Sequence, residues 1–110
     1  MFRLKVLIIS ILFSLPAIAE DTWHNSTVSD IYPLSDGSFV IIFNEDSPSC
    51  STSTKPHQYL VKVGQNSVTQ EGLNLMFSAA LAGAAAGKEI HINFENISGN
   101  CLVNRLRLSY

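Results

Sequence analysis

The sequence is short of the residues from which catalytic and metal sites are built. Its 110 residues include only three histidines, two cysteines and one tryptophan. No G-x-S-x-G, H-E-x-x-H or glycine-rich phosphate loop occurs. His24, His57 and His91 are scattered along the chain. His91 and Glu95 are four apart in a strand-like segment, which separates them by about 13 Å, too far to share a metal ion. The expectation is a protein that is not an enzyme, with no catalytic set, no metal and no cofactor. Charge is also sparse, at 15% of residues, and the balance is acidic, which argues against nucleic acid as a partner. A long apolar run lies at the start.

That run, Val6 to Leu15, is broken by Ser10 and Ser14 alone, follows Arg3 and Lys5, and precedes Pro16-Ala17-Ile18-Ala19. A cationic start, an apolar centre and a small-x-small end are the signature of a cleaved signal peptide over residues 1–19. Residues 20–110 are then a single small domain, with five Lys and Arg against nine Asp and Glu, a formal charge of −4. Within it no second run approaches the roughly 20 apolar residues that cross a bilayer, so no membrane span is expected. The leader points to a secreted or periplasmic location. In such a compartment Cys50 and Cys101 pair by default, closing a loop of 52 residues. A redox-active thiol is the weaker alternative, because there is no C-x-x-C, and so is a metal site, because no His is near either Cys in sequence.

After a polar start from Glu20 to Ser26, the chain reads as strand over Thr27 to Leu34, turn at Asp36-Gly37 and strand over Ser38 to Asn44. The five apolar residues within that second strand suggest cover on both faces. Glu45 to His57 is a long polar loop, and Gln58 to Val63 a third strand. A helix is predicted over Val68 to Ala86, about 28 Å long, with Ser67 and Gln70 spaced as a capping box and Gly87 as its stop. Strands over Glu89 to Phe94 and Cys101 to Leu108 follow. The order β-β-β-α-β-β makes the fold mainly β with one helix. It is the order of a small OB-like five-stranded barrel, and an α+β layer with a mixed sheet under one helix fits it too.

On a helical wheel Leu73, Met76, Phe77, Ala80, Leu81 and Ala84 form one arc, the predicted core stripe. The opposite arc holds Leu75, Ala79, Ala82 and Ala86, and no charged residue lies between Gly72 and Ala86. A helix apolar all round is usually covered all round, so this second arc is a candidate contact face of a homo-oligomer. The alternative is that alanine is simply a good helix former. Aromatic rings with polar edges suit sugar binding, which draws attention to Trp23, Tyr32, Tyr59 and Tyr110 among the many Ser, Thr and Asn residues.

The leader, the element order, the Cys after the second strand and the run Leu73 to Ala86 followed by Gly87-Lys88-Glu89-Ile90-His91-Ile92 resemble the B subunits of bacterial toxins that carry five B subunits. The subtilase-cytotoxin and pertussis-like group is the most similar. The resemblance implies an OB barrel, a pentameric ring whose helices line a central pore, a cell-surface glycan as ligand and a separate catalytic subunit. It also implies a glycan site at a serine near the first strand, here Ser26 within Asn25-Ser26-Thr27-Val28, with Trp23 or Tyr32 as the stacking ring. The aromatic-Ser-Gly pattern usual around that serine is not present. The alternative function is a small periplasmic or secreted non-catalytic structural or interaction protein that lacks a sugar site.

Overall fold

The computed structural model describes residues 21–109; the expected leader at 1–19 lies outside the described residues. The chain is mainly β with one helix: β1 (Thr22–Ser26), β2 (Val28–Pro33), β3 (Phe39–Phe43), β4 (Tyr59–Val61), α1 (Gln70–Ala85), β5 (Ile90–Ile97) and β6 (Asn100–Leu108). The six strands form one sheet in the order β1-β5-β6-β4-β3-β2, antiparallel at every step except β4–β6, which is parallel. β1, expected to be part of an irregular polar start, is a strand because its backbone pairs with β5 from Thr22↔Phe94 to Ser26↔Ile90.

The two border strands, β1 and β2, are consecutive in the chain with Thr27 alone between them. Both borders of the sheet therefore converge on one bent segment. The bend is held by the end of β3: the Asn44 N–H donates to the Thr27 carbonyl at 3.0 Å, and the Asn44 amide to the Thr27 hydroxyl at 2.7 Å. β5 and β6 make a hairpin through Ser98 and Gly99, with φ of 51° and 78°. Positive φ at both central residues matches the twist of the flanking strands, and glycine takes one of the two positions without strain.

Alternation along the strands divides their side chains between two faces. Phe39, Ile41, Phe43, Tyr59, Val61, Ile90, Ile92, Phe94 and Val103 are buried in one core, which Leu73 and Ala80 of α1 join. Tyr59 sits centrally, 5.0 Å from Phe43 and 5.4 Å from Phe94 between ring centroids, both edge to face. The outer face is also covered beside β3, where Val40 is only 3% exposed. That agrees with the unbroken apolar run there.

α1 is shorter than the spacing predicts. Ser67 has φ of 65° in the turn after β4, so it cannot cap; Thr69 does, accepting the Gly72 N–H on its hydroxyl at 3.0 Å. Gly87 follows the last turn as expected, with φ of 65°. The buried side of the helix is Leu73, Ala80 and Gly83, with Met76 and Phe77 partly covered. Leu81, predicted to lie in the core stripe, is 45% exposed. Gly83 sets this rotation. A Cβ there would overlap Ile90 Cγ2 and come within 3.1 Å of Leu108 Cδ1, so the helix turns its glycine to the sheet to approach it closely.

Cys50 and Cys101 are bonded, with 5.8 Å between their Cα atoms, and both sulfurs lie in the core. The chain-entropy relation gives about 4 kcal/mol for a loop of this length. Replacing both cysteines with alanine should lower unfolding free energy by about that amount, read from urea midpoints at constant slope. A midpoint that stays where it was would show that the bond does not constrain the unfolded chain.

Candidate binding surface

The three residues expected at a glycan site fall in different settings. Ser26 is 4% exposed. Its hydroxyl donates to the Thr27 carbonyl at 3.1 Å and accepts the Glu45 N–H at 3.2 Å, which makes it part of the bend. Trp23, three residues earlier on the same strand, points to the opposite face and is 51% exposed. Tyr32 pairs with Val40, on the outer face. No hydrogen bond or ring contact joins the three among the described residues.

Tyr32 begins a row of cross-strand neighbours that crosses the outer face: Tyr32, Val40, Leu60, Leu102 and Glu95. Above the middle of that row lies a cavity of about 280 Å³. Leu34, Val40 and Leu60 form its apolar floor, and Thr52, Ser53, Thr54, Gln58 and Asn100 its polar walls. A second hollow of about 180 Å³ lies beyond Leu60 and Asn100, bounded by Lys62, Gln65, Ile97, Ser98 and Leu102. Because they share Leu60 and Asn100, the two form one groove across β4. No carboxylate lines it.

The wall at 52–54 belongs to the long loop, which is tied down on several sides. Cys50 is bonded to β6, and the Ser47 N–H donates to the buried Tyr59 hydroxyl at 2.8 Å. Burial holds the Tyr59 hydroxyl above the ordinary tyrosine pKa, with the Ser47 N–H working against it. The Asn96 side chain accepts the Ser51 N–H at 2.9 Å and donates to the Ser49 carbonyl at 2.6 Å. Further along, the His57 N–H donates to Asp46, and His57 Nδ1 lies 2.9 Å from the Thr52 hydroxyl. The imidazole, 6% exposed, supports the loop from beneath.

A different chemistry occupies the outer face of β1, β5 and β6. Asn93, fully buried, pairs with Trp23 and Arg105 in register. In the amide orientation that matches its neighbours, it donates to Asn104 Oδ1 at 2.9 Å and Asp21 Oδ1 at 3.2 Å, and accepts from Trp23 Nε1 at 3.2 Å. Asp21 also pairs with Arg105 at 3.3 Å. The carboxyl of Glu95 is raised above the usual glutamate value, first by its hydrogen bond to Asp21, then by desolvation and the Asp21 charge. This acidic pair stands between the tryptophan patch and the groove.

None of Ser26, Trp23 and Tyr32 lines the groove, whose walls and floor come from segments between residues 34 and 102. Among the described residues no group of three His, Cys, Asp or Glu could hold a metal ion, and no helix is long and apolar enough to cross a membrane. Compared with family models, with curated proteins and with solved structures, the chain gives no match.

The Glu95 shift has a pH consequence. A carboxyl whose pKa is raised on folding favours the native state below its unfolded value, and that contribution is lost as pH rises through the folded value. Gln keeps the donor without the charge. Glu95→Gln should therefore melt higher than the parent chain at pH 7, and the difference should close as pH falls below about 4. A difference that stays constant from pH 7 to pH 3 would refute the assignment.

Proposed function

We propose that this chain is a glycan-binding module exported to an oxidising compartment, built as an OB-like five-stranded barrel and acting as a ring of identical subunits. The groove across β4 carries the reading. Sugars offer hydroxyls that both donate and accept together with apolar ring faces, and the uncharged wall of Thr, Ser, Gln and Asn in the larger hollow, over a floor of Leu and Val, matches both. The barrel reading is supported by counting β1 and β2 as one strand bent at Thr27. Five strands remain, the helix falls between the third and fourth, and the third and fifth run parallel. In barrels of this kind the face of the second and third strands and the flanking loops bind oligosaccharides, and the groove lies there. Export is supported by the leader-like start and by the disulfide.

The ring is supported by α1, where Leu75 is 73% exposed on one arc with exposed Ala82 and Ala86 and half-buried Ala79, and Leu81 is exposed further round the helix. A single polar site exchanges water hydrogen bonds for protein ones at about 1 kcal/mol each, so useful affinity needs several sites acting together, which adds roughly 10²- to 10⁴-fold. The resemblance to toxin B subunits makes five the number proposed, with a cell-surface glycan as ligand and a catalytic subunit as a further partner. The engagement of the Ser26 hydroxyl within the bend favours the competing reading, a non-catalytic structural or interaction protein without a sugar site.

A glycan array separates these. The parent oligomer should bind, Gln58→Ala with Asn100→Ala should weaken binding at least about tenfold, and Ser26→Ala should act only through stability. An empty array would favour the interaction protein, and binding untouched by the groove pair would move the site elsewhere. The ring is checked separately by sedimentation at micromolar concentration. Ala82→Glu should convert the oligomer to a folded monomer by placing a charge in each contact. A parent protein that already sediments as a monomer would end the ring proposal.

A further inference from the structure

The tryptophan patch carries an inference independent of the groove. Trp23 is half exposed, and the guanidinium carbons of Arg105 and Arg107 lie 5.8 and 5.7 Å from its ring centroid, within cation–π range. The two arginines are two apart on β6, so both project from the same face. Two like charges on one ring call for anions, and the patch supplies one. Asp21 pairs with Arg105 through Oδ2, while its other oxygen is taken by the Asn93 amide. Among the described residues the fork of Arg107 meets His91 Nδ1, at 3.4 Å, and the indole ring. Among the described residues no carboxylate lies within 4.0 Å of Arg107.

We propose that Trp23, Arg105 and Arg107 form a binding site for a sugar carrying a sulfate ester, with the sugar ring on the indole and the sulfate between the two guanidiniums. A planar carboxylate fits one guanidinium fork, whereas a sulfate has three acceptor oxygens in tetrahedral array and reaches two forks that approach from different positions. The flanking acids set the charge of the ligand. Asp21 and Glu95 lie on one side, and Glu89 is held by Asn25 at 3.0 Å on the other. A polyanion would meet them, while a single sulfate ester would not.

Trp23 is the only tryptophan in the chain, so its emission reports this site without a label. The probe is glucose 6-sulfate, with glucose, glucuronic acid and sodium sulfate as controls. Glucose 6-sulfate should change the emission saturably, and the three controls should bind at least about tenfold more weakly. Arg107→Gln should remove the response at an unchanged melting temperature. Arg107→Lys, which keeps the charge without the fork, should weaken it by about tenfold, so that loss of charge and loss of geometry are told apart. An equal response to sodium sulfate would reduce the site to a general anion contact, and an equal response to glucuronic acid would refute the sulfate preference. No response, or one indifferent to Arg107→Gln, would overturn the proposal and leave the groove reading untouched.

Discussion

The bond between Cys50 and Cys101 is the constraint on which the outer surface depends. The loop from β3 to β4 has few apolar residues with which to pack, and a free polar loop of that length would sample many conformations. Bonded at Cys50, it enters the core at one point and leaves it two residues later as the wall of the groove at Thr52. Asn96 then fixes the short stretch between through Ser49 and Ser51. The disulfide thus does two things through one residue: it limits the unfolded chain, and it supplies a rigid side to a groove whose floor is sheet.

The bend at Thr27 plays the corresponding part for the sheet. A strand such as β3, apolar along its length, is an aggregation hazard if it stands at a border. Here β2 covers it on one side and β4 on the other. The borders themselves fall to β1 and β2, whose exposed side chains include Trp23, Asn25, Ser29 and Asp30. Ser26 is consumed in holding this bend, which explains why a hydroxyl beside the first strand is buried and unavailable on the surface.

What was legible in the sequence follows the range of the interaction concerned. The apolar run of β3, the stop at Gly87 and the cysteine pair are local or combinatorial signals, and each led to the right element. β1 carries no local signal, because Thr-Trp-His-Asn-Ser has no apolar alternation, and its strand character comes from pairing with β5 far along the chain. The cap was misplaced by two residues because Ser67 and Thr69 offer the same hydroxyl, and only the turn geometry, with φ of 65° at Ser67, separates them. Hydrophobicity alone turns Leu81 inward on the wheel, whereas the close approach at Gly83 sets the actual rotation. The groove had no local signal at all, since Leu34, Thr52, Leu60 and Asn100 meet only after the sheet forms.

The proposed sugar sites and the proposed helix contact do not compete for surface, and strand alternation is the reason. Ile41, Tyr59 and Val103 face the core that α1 joins, so Val40, Leu60 and Leu102 must face away from it. The groove and the tryptophan patch therefore lie on the side of the sheet opposite the helix. An assembly through the exposed arc of α1 would bury Leu75 and Leu81 toward its axis while leaving every groove turned outward. Burying a leucine side chain contributes about 1.5–3 kcal/mol, so two per subunit weigh little in one contact and much in a closed ring, where each subunit is held on two sides. Outward sites on a ring are also the arrangement in which weak sugar contacts add. The glycine that brings α1 down onto the sheet thus bears on both proposals, because it exposes Leu81 on the helix while the sheet it packs against carries the groove on its outer face.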